Sequence, residues 1–136
     1  MGKVTLNVDL QNPIVCKKIN IEAGMGEFEG TGLGYLRAEV VNIDVGLGSA
    51  DIDFSGKINH NMKIEVEVGL GSIKLILPDN VNISARLHDY FLSTVNVEDL
   101  VKKGNKYVSK EWDSDRPTIT LDMSVGLGSI DLKVSD

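Results

Sequence analysis

The sequence holds a single cysteine, Cys16, so it can build neither an internal disulfide framework nor a cysteine-rich metal site. It has no apolar stretch approaching the length of a transmembrane helix. Met1-Gly2-Lys3 leads straight into a strand pattern and not into an apolar signal core. The chain as given therefore reads as soluble, with membrane attachment only through segments it does not carry. Basic clusters are equally scarce: Lys17-Lys18 and Lys102-Lys103 are the densest, and the net charge is −6. This works against binding nucleic acid or anionic lipid, which takes clustered Lys and Arg to displace counterions. A Gly-x-Ser-x-Gly elbow, a Cys-His pair at useful spacing and a His-Glu-x-x-His motif are all missing, so no enzyme class and no cofactor is indicated.

What is present is a repeat. Val45-Gly46-Leu47-Gly48-Ser49 recurs as Val68-Gly69-Leu70-Gly71-Ser72 and Val125-Gly126-Leu127-Gly128-Ser129, with a looser copy at Ala23-Gly24-Met25-Gly26-Glu27. The first glycines Gly24, Gly46 and Gly69 lie 22 and 23 residues apart, the period of one coil of a β-solenoid, and the fourth copy follows 57 residues later. Each copy sits in an apolar alternation whose phase slips once, as in Ile43, Val45, Leu47 and then Ala50, Ile52, Phe54. A one-residue slip would turn the second half outward unless the backbone bulges or turns a corner there. Gly-x-Gly-Ser supplies that corner, read as the inside corner of successive coils.

Aligned on the corner, Ile83, Ala85, Leu87 and then Tyr90, Leu92 form a degenerate copy with Arg86 and His88 in place of the glycines. The pattern predicts an all-β single domain over residues 1–136, a single-stranded right-handed β-helix of about five short coils. Residues 1–18 form an N-terminal capping strand, 19–93 the coils, 94–117 a pattern-breaking insertion or wider coil, and 118–136 the final coil. The run Lys102-Lys103-Gly104-Asn105-Lys106 reads as a turn within that insertion. Strand edges at the ends of so short a stack must be capped or paired, which admits a homodimer.

Stacked coils align equivalent residues in columns roughly 4.7–4.9 Å apart. One outward column runs Glu22, Asp44, Glu67, Ser124 and its neighbour Asn20, Asn42, Glu65, Asp122. Like charges opposite one another destabilise a sheet, so this face either binds a cation such as Ca²⁺ or a basic partner surface, or is simply a solvated face. His88 beside Asp89, close to Arg86, is the one cluster with acid–base character, and structure accounts for it better than catalysis. His60 reads as a surface residue of a polar turn. Gly30-Thr31-Gly32-Leu33-Gly34 leads into another strand and not into a helix, so turn glycines explain it better than a phosphate loop. Tyr107 and Trp112 either anchor a sugar or a partner or, as is commoner, plug the end of the core.

Gly-Leu-Gly-Ser-Ile-Lys-Leu-Ile-Leu-Pro at 69–78, the Val81-x-Ile83 strand, Lys106-Tyr107-Val108-Ser109 and Thr118-Ile119-Thr120-Leu121 ending in Gly126-Leu127-Gly128-Ser129-Ile130 together resemble a family pattern. It is that of the C-terminal domain of LiaF-type cell-wall-active antibiotic response proteins and the related toast-rack and adhesin-like families. The resemblance implies a right-handed β-helix. It also implies a protein partner at the bacterial cell envelope, membrane-spanning helices ahead of the domain in many members, and no catalytic residues. Three readings follow: a non-enzymatic binding or scaffold module of an envelope stress response, a surface adhesin or carbohydrate-binding solenoid, and, last, a polysaccharide-acting enzyme.

Overall fold

The structure, a computed structural model, describes residues 2–7, 16–33, 37–54, 58, 60–88 and 92–134. Among them are the strands β1 (Gly2–Asn7), β2 (Cys16–Thr31), β3 (Ala38–Asp53), β4 (Met62–Leu77), β5 (Asn82–His88), β6 (Leu92–Val97), β7 (Leu100–Lys103), β8 (Lys106–Ser109) and β9 (Thr118–Val134). The chain is all-β, and its strands join one mixed sheet in the order β1-β2-β3-β4-β9-β5-β8-β7, with β6 also on β9.

The four long strands β2, β3, β4 and β9 are the four copies of the glycine unit, paired parallel so that Gly26, Gly48, Gly71 and Gly128 stand in register. Their φ angles of 122°, 138°, 143° and 145° lie where side chains are rarely tolerated. Each corner divides its strand into a first and a second limb. Val41, Ile43 and Val45 before the corner and Ala50, Ile52 and Phe54 after it are at most 2% exposed and belong to one core. No helix and no second sheet covers that buried face among the described residues. The sheet itself must therefore fold at the glycines so that its two limbs face each other across the core. Ile73, Leu75 and Leu77 show what this achieves: each is at most 1% exposed, a burial worth roughly 1.5–3 kcal/mol per side chain.

Three boundaries differ from the sequence reading. Residues 1–18 are not one cap: β1 pairs only with Gly26–Thr31, the second limb of β2, while Cys16, Lys17 and Lys18 open β2 itself. Residues 8–15 lie outside the described residues. The segment 94–117 begins inside a coil, since β6 pairs with β9 from Leu92 to Val97, and the insertion proper is the β7–β8 hairpin, turning at Gly104 as expected, and the loop after it. Most consequentially, the coil over 118–136 is last in sequence but not in space, because β9 lies between β4 and β5–β6. The glycines explain the threading. A Cβ on Gly126 would stand 2.8 Å from the Gly69 carbonyl oxygen, so a layer stacked directly after another corner must carry glycine there. The copy without them is broken into β5 and β6 and stays outside the column.

The loop before β9 is pinned by a buried side chain. Asn82, 1% exposed, donates from Nδ2 to the carbonyls of Asp113 at 2.6 Å and Arg116 at 3.4 Å, and its Oδ1 accepts the Asp113 N–H at 3.0 Å. Leucine there would leave these loop groups without partners. Asn82→Leu is expected to lose about 1–3 kcal/mol of stability in urea denaturation, whereas Lys102→Ala, on the exposed hairpin, stays within about 0.5 kcal/mol.

Candidate functional site

The outward face of the first limb carries the two expected columns. Glu22, Asp44, Glu67 and Ser124 are in register across β2, β3, β4 and β9, and so are Asn20, Asn42, Glu65 and Asp122. The structure extends both. His88 falls beside Ser124 and Arg86 beside Asp122, so the columns end on two residues of β5. Arg86 and His88 are therefore not replacements for the corner glycines. Ser93 occupies the place opposite Gly128. Asp89 lies outside the described residues.

The two columns and His88 line a shallow trough of about 500 Å³, with Glu22, Asp44, Glu65, Glu67, Asp122 and His88 on its walls. One lysine answers part of the negative charge. Lys63 reaches Glu65 at 3.1 Å, and His88 Nε2 stands 3.7 Å from Asp122 Oδ1. At the upper edge Asn42 donates from Nδ2 to Asn20 Oδ1 at 3.2 Å. Glu22, Asp44 and Glu67 are exposed one above another; at strand spacing in water each adjacent pair repels by roughly 1 kcal/mol or less before salt screening. No three His, Cys, Asp or Glu side chains converge as a metal would require among the described residues. The trough is thus a distributed anionic strip and not a coordination cage.

Tyr107 and Trp112 lie elsewhere and part company. Tyr107, opposite Ala85 on β8, packs against the core as a plug, whereas Trp112 is 54% exposed in the loop before β9. His60 is not a bare surface residue, since its Nε2 lies 2.8 Å from the Ala38 carbonyl oxygen.

One feature escaped the sequence reading. Met25, Leu47, Leu70 and Leu127, the middle residues of the four corners, are 59%, 42%, 46% and 45% exposed and stand in register as an apolar ridge. Counting Leu47 with the inward run Ile43, Val45 placed it in the core. The fold turns at that residue, so the inward register passes from Val45 to Ala50 and leucine points outward. The corner is an outside corner. The signal was available, since a residue between two corner glycines has left both limbs and yet is apolar in every copy.

Residues 33–132, well over half of the chain, match the family model described as cell wall-active antibiotics response LiaF, C-terminal. A comparison with curated proteins finds no match. Among solved structures, a candidate cell adhesion protein from Clostridium sporogenes superposes with a TM-score of 0.79 at 25% identity, covering 87% of this chain and 55% of that one. The chain thus spans about half the length of that neighbour. No helix among the described residues is long and apolar enough to cross a membrane.

Proposed function

The chain belongs to the LiaF-like C-terminal family of cell wall-active antibiotics response proteins, and on that premise we propose that it is a non-enzymatic binding module of the bacterial cell envelope. Its folded-over sheet is read as a short right-handed β-solenoid, a rigid stack that presents side chains in columns. The observation that carries the reading is the acidic trough, with five carboxylates on its walls, held by the paired first limbs of the parallel strands. A partner bearing Lys or Arg would replace the carboxylate repulsion with complementary charge, giving fast encounter and specificity. The ridge of Met25, Leu47, Leu70 and Leu127 lies on the same strands, three residues beyond Glu22, Asp44, Glu67 and Ser124 respectively. A basic segment with apolar residues at its side would meet both.

The test is a photo-crosslinking residue at Asp44 in the intact protein in its own cells, with a control at Asn96 on the other limb. A discrete protein adduct at Asp44, absent at Asn96 and lost on Glu65→Lys/Glu67→Lys, is expected. Equal labelling at both positions, or an adduct indifferent to the charge reversal, refutes docking through the trough. Binding of the captured partner should also weaken severalfold with added salt.

A second reading, adhesion through a glycan, is favoured by exposed Trp112 and by the description of the Clostridium neighbour. In that case Trp112→Ala, and not the charge reversal, removes binding.

A further inference from the structure

We propose that the outward face of the first limb is a dimer interface, in which the acidic trough of each copy docks on a basic end of the same face in the other. This rests on the reading of the trough as a dock for cationic side chains, and it narrows the partner to a second copy of this chain.

One row of outward side chains crosses the sheet from β2 to β7. Asn20, Asn42, Glu65 and Asp122 are followed in register by Arg86 on β5, Lys106 on β8 and Lys103 on β7. Arg86 stands between Ala85 and Leu87, which are 0% and 8% exposed, so it lies on the outer face, and residues paired across strands share a face. None of the three cations makes an ion pair among the described residues, whereas Glu65 has Lys63. Side by side they repel as the carboxylates do. The face is therefore dipolar, negative over β3, β4 and β9 and positive over β5, β8 and β7.

The row is antisymmetric in charge about the line between β9 and β5. A two-fold axis along that line, in the plane of contact, turns a second copy face down so that β5 lies over β9, β8 over β4 and β7 over β3. Asp122 then meets Arg86 of the other copy, Glu65 meets Lys106 and Asn42 meets Lys103, and each contact occurs twice. In the adjacent row half-buried Val40 meets Val101, which is 41% exposed. An axis across the strands would instead lay trough on trough and basic end on basic end. Six strands and three outward rows make a patch of roughly 500 Å² per copy at ordinary strand spacings, the low end for a specific interface. A dimer of micromolar affinity is expected, with charge fixing its register.

Charge exchange is the test. Sedimentation of the purified protein across micromolar concentrations should give twice the chain mass of 14.8 kDa. Glu65→Lys and Lys106→Glu, made separately, should each raise the dimer Kd at least about tenfold, because each sets like charges face to face. Mixed one to one, the two variants should dimerise again, since every contact between positions 65 and 106 then joins a carboxylate to an ammonium. Where circular dichroism shows either variant unfolded, the photo-crosslinking residue at Asp44 replaces it: the purified protein should give an adduct of the chain with itself, mapped to the β7–β8 hairpin. A monomeric wild-type chain overturns the proposal, and the trough reading survives if Asp44 still captures a different protein in cells. A dimer indifferent to both reversals, folded variants that stay apart when mixed, or a self-adduct away from the hairpin overturns it as well.

Discussion

Gly71→Ala is expected to leave the protein unfolded. The added methyl would overlap the Gly48 carbonyl oxygen outright, and the φ of 143° there is strained for any residue with a side chain. Neither neighbour can yield, because Gly48 stands against Gly26 in the same way and Gly128 against Gly71. The clash is between backbones, so side-chain repacking cannot relieve it. A loss above about 4 kcal/mol follows, a large share of the stability of an ordinary domain. Gly24→Ala is the paired control. Its Cβ meets nothing within 4 Å, and the variant should unfold within about 1 kcal/mol of the wild type. Thermal denaturation of both decides the matter, and equal melting temperatures would sink the stacking argument.

Removal of β9 by a stop codon after Pro117 is the second large expectation. In a stack built in sequence order, the last coil would be an end layer and its loss would leave the others paired. Here β9 holds β4 on one side and β5 and β6 on the other, and it contributes Ile119, Leu121, Met123, Ile130 and Leu132, each at most 1% exposed. Without it the β5–β8 end has nothing to pair with, and the apolar face of β4 is bared. The truncated chain should show no cooperative urea transition and fast amide exchange throughout β5 and β6. Removing β1 instead, which pairs along half of one strand, should cost far less.

Much of this was legible because the repeat carries both chemistry and geometry. The slip between Val45 and Ala50 announced a corner, and two-residue alternation placed Asp44, Glu67 and Asp122 on one outward face. The registers bear out those columns residue by residue. What alternation could not convey was pairing order. Parallel strands identical at Val-Gly-Leu-Gly-Ser are interchangeable as neighbours, so nothing local says that Gly126 stacks on Gly69 while Ile83 lies beyond it. Position was also ambiguous inside the corner, where Leu47 has the parity of the core and the exposure of the surface. Arg86 and His88 were misplaced for a related reason: in a copy lacking glycine there is no landmark on which to count. Asn82 escaped notice altogether, since its partners are loop carbonyls more than 30 residues away.

The glycine column has a direction. The atom that a side chain at Gly48, Gly71 or Gly128 would strike belongs each time to the layer before it, never to the layer after. The requirement for glycine is thus handed from each layer to the next, and Gly24, over which no corner is stacked among the described residues, meets no such contact. Lengthening by gene duplication is therefore asymmetric: a coil spliced in anywhere below the first must bring both glycines with it. A coil laid on the Gly24 side would convert a tolerant position into an intolerant one. Divergence among relatives of different length should follow the same polarity, with the Gly24 position free to drift, Gly26 held by its own φ of 122°, and both glycines held in every later corner.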